Sequence, residues 1–300
     1  MNRCSLCGLT IEKEKLLHNK CINKVFNVNY IPKVNFTLAQ VVLKAQKMTG
    51  KLSISGIQPK LSVKLNQTNK ELEVVSESGE YILKPPVEAY PNLPQNENLC
   101  MTIASNLGIS VPLHTLIKLQ DNKWAYIIKR FDRFKEEKIH QEDFCQILGK
   151  KDKYEGSFEE IGKKLKSISS VPGLDIQYFY ERVLLYFIIG NGDAHMKNFS
   201  ITYKDNQIRL SPAYDIICSK IYIPDESDFA LSMNGKRNKI SRKDFERFLD
   251  YLKIPNKRIN QTVLDKINTV MELIKNSELE DMQKNDMIKI VQERLLRLKE

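Results

Sequence analysis

The eleven residues from Gly190 to Ser200, GNGDAHMKNFS, bring a carboxylate, an ammonium and an amide within six positions. Asp193 and Asn198 are separated by four residues, the D-x-x-x-x-N spacing of loops that transfer a phosphoryl group. The carboxylate of Asp193 would accept the proton of an attacking hydroxyl, and the amide of Asn198 would hold magnesium at the same phosphate. Lys197 would neutralise charge that develops on the transferred group. His195 reads as a brace that steadies the loop by hydrogen bonding. The preceding run, YFYERVLLYFIIG, reads as a buried helix, so these polar groups would stand at the end of a rigid element.

Three further positions could converge on the same chemistry. Asp215, in PAYDI, is a candidate second magnesium ligand on the β- and γ-phosphates. Lys84 ends EYILK before two prolines, where a cation can meet phosphate oxygens, and Glu97 on the following helix could hold it as an ion pair. The segment 52–65, LSISGIQPKLSVKL, occupies the place of a phosphate loop but has one glycine, Gly56, between Ser53, Ser55 and the donors Gln58 and Lys60. It departs from G-x-G-x-x-G, although a backbone loop there can still offer N–H groups to phosphate. Taken singly, Lys84 reads as a surface lysine and the segment as a polar turn. The order of lysine, glutamate, loop and metal aspartate favours the functional reading.

These groups need elements to position them. Helical periodicity runs over 35–49, and strand patterns follow at KLSVKLN, LEVVS and EYILKPP. A helix from about Pro94 stops at Gly108, and two strands, LHTLIKLQ and KWAYIIKRFDRF, meet across a turn at 120–123. Beyond Phe134 amphipathic helices dominate, over 158–167, 174–189, 242–252 and two within 260–298, with short strands at NFSITYKD and QIRLSPAYD. The expected architecture is α+β with two lobes. Residues 1–34 form an N-terminal segment, 35–134 a β-rich ATP-binding lobe and 135–300 a helical lobe bearing the loop.

Composition narrows the class further. Of 300 residues, 42% are hydrophobic and 28% charged, which is ordinary for a globular chain. No run of 18 apolar residues occurs, and the start MNRCSLCGLTIEKEK is too polar for a signal peptide, so a cytoplasmic location without membrane contact is expected. The net charge of +10 spreads along the chain and reads as a solvated surface more than as a nucleic-acid stripe. Six cysteines in such a chain argue against a disulfide framework. Cys4, Cys7, His18 and Cys21 form C-x2-C-x10-H-x2-C, which resembles a zinc knuckle holding one structural metal; the alternative is a set of reduced thiols without a ligand. Cys100, Cys145 and Cys218 lie in apolar surroundings and read as packing residues.

As an ordered set, SGIQPKLS, YILKPP, NENLCM, IIKRFDR, QEDFCQILG, GNGDAHMKNFS, SPAYDI and LSMNGKR resemble the HipA family of bacterial serine/threonine kinase toxins, from about Gly50 to Arg237. The resemblance implies a protein-kinase-like fold, ATP and magnesium as cofactors, and a toxin of a toxin–antitoxin system that phosphorylates an aminoacyl-tRNA synthetase, of tryptophanyl or glutamyl type. It makes Asp193 the base, Asn198 and Asp215 the magnesium ligands and Lys84 a phosphate contact. Arg130, Phe131 and Asp132 follow the hinge where adenine and ribose would sit. Ser55 matches a serine that family members autophosphorylate, with Ser53 a second candidate, and a phosphate there would repel those of ATP. Only residues 1–51 precede the phosphate segment, so the chain is similar to the short HipT-like form. A small HipS-like antitoxin is then expected as partner, alongside or instead of a helix-turn-helix HipB-like antitoxin through which DNA would be met indirectly. The cytosol of a host cell is a further expected location if a pathogen secretes the protein. Two rival readings are a small-molecule phosphotransferase of the aminoglycoside type, whose loop also reads G-D-x-x-x-x-N, and a pseudokinase acting as a binding module.

Overall fold

The computed structural model describes residues 2–49, 58–134, 137–255 and 263–299. Its first half centres on a five-stranded antiparallel sheet. After the short strands β1 (Asn2–Arg3) and β2 (Thr10–Ile11) come helices α1 (Asn19–Phe26) and α2 (Leu38–Thr49). The sheet strands are β3 (Leu61–Asn66), β4 (Glu71–Val74), β5 (Tyr81–Lys84), β6 (His114–Lys118) and β7 (Trp124–Lys129), in the order β4-β3-β5-β7-β6. Alternation in LSVKLN explains β3: Leu61 and Val63 are buried while Lys64 is exposed. Leu61, Val63, Leu83 and Ile127 share one core with Cys4, Leu17, Cys21, Val25 and Phe26 from the N-terminal segment.

Helix α3 (Leu93–Asn106) lies between β5 and β6 in sequence and packs on β6 and β7. Pro94 suits its first turn, where a missing N–H has no helical partner to lose. The chain leaves it through Gly108 at φ +92°. Neighbours on every side bury the helix from Leu93 to Ala104, Glu97 included.

A two-stranded ribbon, β8 (Arg133–Phe134) with β9 (Glu137–Lys138), leads into the second half. Here β10 (His140–Asp143), β11 (Ser200–Lys204) and β12 (Gln207–Leu210) form a three-stranded sheet beside α4 (Phe144–Ile147), α5 (Phe158–Ile168) and α6 (Pro172–Ile189). A capping box between Ser157 and Glu160 starts α5. Helix α6 is buried over twelve of its residues and ends at Gly190, whose φ of +70° stops the helix where the polar loop begins. Asp175, in its first turn, accepts from Leu210 N (2.9 Å) and Arg209 Nη2 (2.9 Å), which ties the β11–β12 hairpin to this helix.

Among the described residues, helices α7 (Arg242–Leu252), α8 (Ile267–Lys275) and α9 (Asp281–Arg297) close the second half. Asp228, almost wholly buried, anchors α9: it pairs with Arg294 and Arg297 and accepts from Ile240 N at 2.9 Å. Burial alone would raise its pKa, but the two guanidiniums and the amide outweigh that and hold the carboxyl below its ordinary value. Asp228→Asn leaves Arg294 buried without its counter-charge and is expected to cost about 3 kcal/mol in urea unfolding. Because the folded-state pKa is depressed, this contribution is present above about pH 4 and lost as pH falls. The gap between parent and variant is therefore expected to shrink in acid; a gap independent of pH would contradict this account.

Candidate active site

Lys84, the last residue of β5, sits with its side chain 6% exposed and its Nζ 2.6 Å from Glu97 Oε1 on α3. The same ammonium also bonds Asp215 Oδ1, which arrives from the segment after β12. Asp215 adopts a left-handed backbone, φ +59°, a conformation that Asp tolerates better than most residues. Its other oxygen, Oδ2, accepts from Asn198 Nδ2 at 3.4 Å. Four residues spread between positions 84 and 215 thus form one continuous polar chain.

The loop after α6 folds around a short 3-10 turn, Met196–Asn198. His195 N donates to Asn198 Oδ1 at 2.9 Å, which fixes the amide beside Asp215. Asp193 is half-buried, and its Oδ1 accepts from Tyr154 OH at 2.9 Å. Lys153 Nζ lies 2.9 Å from His195 Nε2. Since an ammonium only donates, His195 accepts through Nε2 and is assigned as the neutral Nδ1–H tautomer. Lys197 is exposed, while its carbonyl accepts from Tyr214 OH at 2.9 Å. Lys153, Tyr154 and Tyr214 were not singled out by sequence reasoning. The first two precede the loop by about forty residues, and no local spacing links them to it.

Around this centre, Phe131 stacks on Tyr214 with ring centroids 5.5 Å apart, one residue from Asp215. Arg130 and Asp132 make a two-pronged pair at 2.9 and 2.7 Å, and Arg133 joins Asp132 at 2.7 Å, so Arg130 and Asp132 brace each other. Gln58 Nε2 donates to the Pro85 carbonyl at 2.7 Å, next to Lys84. Lys60 lies on the exposed side, close enough for its charge to be felt by Asp215 and Glu97. Ser53, Ser55 and Gly56 lie outside the described residues.

The electrostatics follow from this packing. Burial works against the Lys84 ammonium, yet Asp215 and Glu97 together raise its pKa above the ordinary value. Asp215 is the converse: burial opposes its charge, and Lys84 followed by Lys60 drives its pKa well down. Glu97, the most enclosed of the three, is raised to about 7 by burial, which Lys84 offsets only in part. The cation is therefore firmly charged, and the more open carboxylate holds its negative charge better than the enclosed one. Burial also lowers the pKa of His195, in keeping with its neutral form.

Two donor sets could hold metals. Asp215 offers carboxylate oxygens and Asn198 retains a second lone pair on Oδ1; magnesium takes few protein oxygens and keeps waters and phosphates as its other ligands, so this pair suits it. In the N-terminal segment, Cys4, Cys7, His18 and Cys21 bring three sulfurs and one imidazole nitrogen within 4.8 Å of one another. A tetrahedral zinc site needs sulfurs about 3.8 Å apart, and its soft donors match this set. His18 turns Nδ1 toward Cys7 Sγ (3.5 Å) and Cys21 Sγ (3.9 Å), while Nε2 meets the Thr10 carbonyl at 3.1 Å. Burial opposes a thiolate at Cys4, but backbone N–H groups of Cys7, His18 and Leu6 bring its pKa down to about 7.

Residues 52–274 match the profile of the HipA-like C-terminal domain family. The chain belongs to this family. A candidate kinase of Haemophilus influenzae is 34% identical over 246 residues, covering 74% of this chain and 70% of that protein. The serine/threonine-protein kinase toxin HipA of Shewanella oneidensis is 28% identical, covering 68% of this chain and 52% of that protein. The chain likewise spans about half the length of two candidate kinases of Sinorhizobium fredii. Among solved structures, the Shewanella oneidensis HipA–HipB–operator DNA complex superposes with a TM-score of 0.68 at 23% identity, covering 83% of this chain and 65% of that one. The Helicobacter pylori proinflammatory kinase CtkA gives 0.55 at 17% identity, over 75% and 87%. This HipA-like chain has the kinase-like fold, with mixed sheet and helical halves, that the sequence led us to expect.

The buried Lys84–Glu97 pair makes the first test of this site one of stability. Lys84→Met strands Glu97 and is expected to cost about 3 kcal/mol, whereas adding Glu97→Gln restores part of that loss. Urea unfolding of the two variants decides it; equal stability of Lys84→Met and parent would mean that the pair contributes nothing.

Proposed function

We propose that this protein is an ATP- and magnesium-dependent serine/threonine protein kinase. The observation that carries this reading is the convergence of Lys84, Glu97, Asn198 and Asp215 on one chain of contacts, with Asp193 on the same loop. ATP would supply the phosphoryl group, and magnesium would offset the charge of its phosphates. Asp193 accepts the proton of the attacking hydroxyl as its oxygen bonds to the γ-phosphorus, while the bond from that phosphorus to the bridging oxygen breaks and ADP leaves. Tyr154 orients Asp193 through the 2.9 Å hydrogen bond, and His195 braces Asn198 through its backbone N–H. Asn198 and Asp215 would hold the metal, Lys84 would meet the phosphate oxygens, and Lys197 would neutralise charge on the transferred group. Gln58 and Lys60 lie at the edge of the same region. Phe131, stacked on Tyr214, offers an aromatic surface for the nucleotide base.

The finer reading, supported by the family, is a toxin of a toxin–antitoxin system acting in the bacterial cytoplasm. Its substrate is a serine on an aminoacyl-tRNA synthetase, and it restrains itself by phosphorylating Ser53 or Ser55. The Shewanella relative was solved with HipB and operator DNA, which supports an antitoxin as partner; a small HipS-like protein is the second candidate. The N-terminal Cys/His set is proposed to carry structural zinc.

Incubation with labelled ATP and magnesium, alone and with bacterial lysate, tests the reading. Phosphate is expected on Ser53, Ser55 or a lysate protein. Asp193→Asn is expected to lower transfer by about a hundredfold or more while nucleotide binding and circular dichroism stay as in the parent. Nucleotide binding without any transfer by the parent would favour the binding-module reading, and transfer only to small molecules the phosphotransferase one.

A further inference from the structure

The four N-terminal ligand-type residues rest on the two elements that present Lys84 and Glu97. Cys4 and Cys7 lie on a turn closed by Gly8 N to Cys4 O at 2.9 Å. This turn leans on α3: the Ser5 carbonyl accepts from Asn98 Nδ2 (3.0 Å) and Thr102 Oγ1 (3.1 Å), and the Cys7 carbonyl from Asn106 Nδ2 (3.3 Å). Positions 98, 102 and 106 recur every fourth residue and so form one face of the helix that carries Glu97. Gly8, at φ +72°, is pressed against the same helix and α8: a Cβ there would fall 2.6 Å from Leu273 Cδ2 and 3.2 Å from Asn106 Nδ2. Cys21 belongs to α1 instead. From α1 the Val25 carbonyl accepts from Tyr81 OH at 3.0 Å, and Phe26 packs its ring 5.7 Å from that of Tyr81. Tyr81 opens β5, the strand that Lys84 ends.

We infer that Cys4, Cys7, His18 and Cys21 bind one zinc-class divalent cation, and that this ion clamps α3 to β5, holding Glu97 and Lys84 in register from outside the active site. The clamp gives the zinc reading of the preceding section a role, and its effect on nucleotide rests on the kinase reading. On binding, three thiols release their protons to solvent and His18 coordinates through Nδ1 as a neutral imidazole, leaving a site of net charge −1. The Thr10 carbonyl accepts the remaining ring N–H and fixes that tautomer. Between positions 2 and 18 the structured elements are two strands of two residues each, so the turn has little regular structure of its own. A metal cross-link from Cys4 to Cys21 removes much of the entropy of closing this loop.

The test uses the full chain, purified without chelator. Elemental analysis is expected to find one zinc per chain, and cobalt substitution to give a thiolate-to-metal absorption band that Cys7→Ser weakens. Stripping the metal from the parent protein is expected to speed amide hydrogen exchange in 93–106 and 19–26 by at least about tenfold, leave α6 protected, and be reversed by zinc. Binding of a fluorescent ATP analogue is expected to weaken by about tenfold in parallel. Absence of metal overturns the site. Bound metal whose removal leaves exchange in 93–106 unchanged, or whose removal unfolds α6 as well, overturns the clamp. If no nucleotide binds with or without zinc, the kinase reading falls, while the exchange data still decide the clamp. Because removal and return of zinc are done on the parent, a misfolded Cys7→Ser does not block the result.

Discussion

A single buried ammonium organises this protein. Lys84 is enclosed by a sheet and a helix, where an isolated charge would be prohibitively costly, and two carboxylates from different parts of the chain make it tolerable. Glu97 is presented by α3 and Asp215 by the segment after β12, so the charge balance closes only when the sheet half and the helical half are both in place. The asymmetry matters as much as the pairing. Glu97 is sealed in, whereas 36% of the Asp215 side chain is open, so the aspartate is the partner that can exchange Lys84 for a ligand. On the proposed kinase reading, Glu97 would keep the lysine aimed while its bond to Asp215 is given up.

Much of the architecture could be read from periodicity. LSVKLN alternates because one face of β3 meets the core, WAYIIK is apolar through its middle because Ala125 and Ile127 face one core cluster and Tyr126 and Ile128 the other, and YFYERVLLYFII is apolar nearly all round because α6 is covered on every side. The loop GNGDAHMKNFS was legible because its chemistry is contiguous. Lys84, Glu97 and Asp215 are unremarkable lysine, glutamate and aspartate in isolation, and only their order along the chain marked them. Helix α1 escaped notice because its eight residues, NKCINKVF, make a short window, although Cys21, Ile22, Val25 and Phe26 fall on one buried face. Tyr154 and Lys153 escaped for a different reason. They meet Asp193 and His195 through tertiary folding, at sequence separations of 39 and 42, and a tyrosine or lysine in a turn carries no local signature of such a contact.

The N-terminal cysteines illustrate how spacing and surroundings differ as evidence. C-x2-C and H-x2-C each place two soft ligands close together, but spacing alone is silent on whether the pairs meet. In the folded chain they do, with the histidine ring oriented by a backbone carbonyl on one side and thiols on the other. Their neighbours are equally informative. Cys4 and Cys21 are buried in the core of the sheet, so whatever state these thiols adopt is transmitted to packed hydrophobic residues and not dissipated at a surface.

Helix α6 gives the site a fixed end. Twelve of its residues are buried, from Asp175 to Ile189, and Gly190 hands the chain directly to the loop that carries Asp193 and Asn198. A loop rooted in this way moves only if the interior of the helical half moves with it. The groups it bears therefore rest on an anvil, and since Tyr126 and Ile128 of β7 belong to the same buried cluster as α6, the sheet is seated on it too.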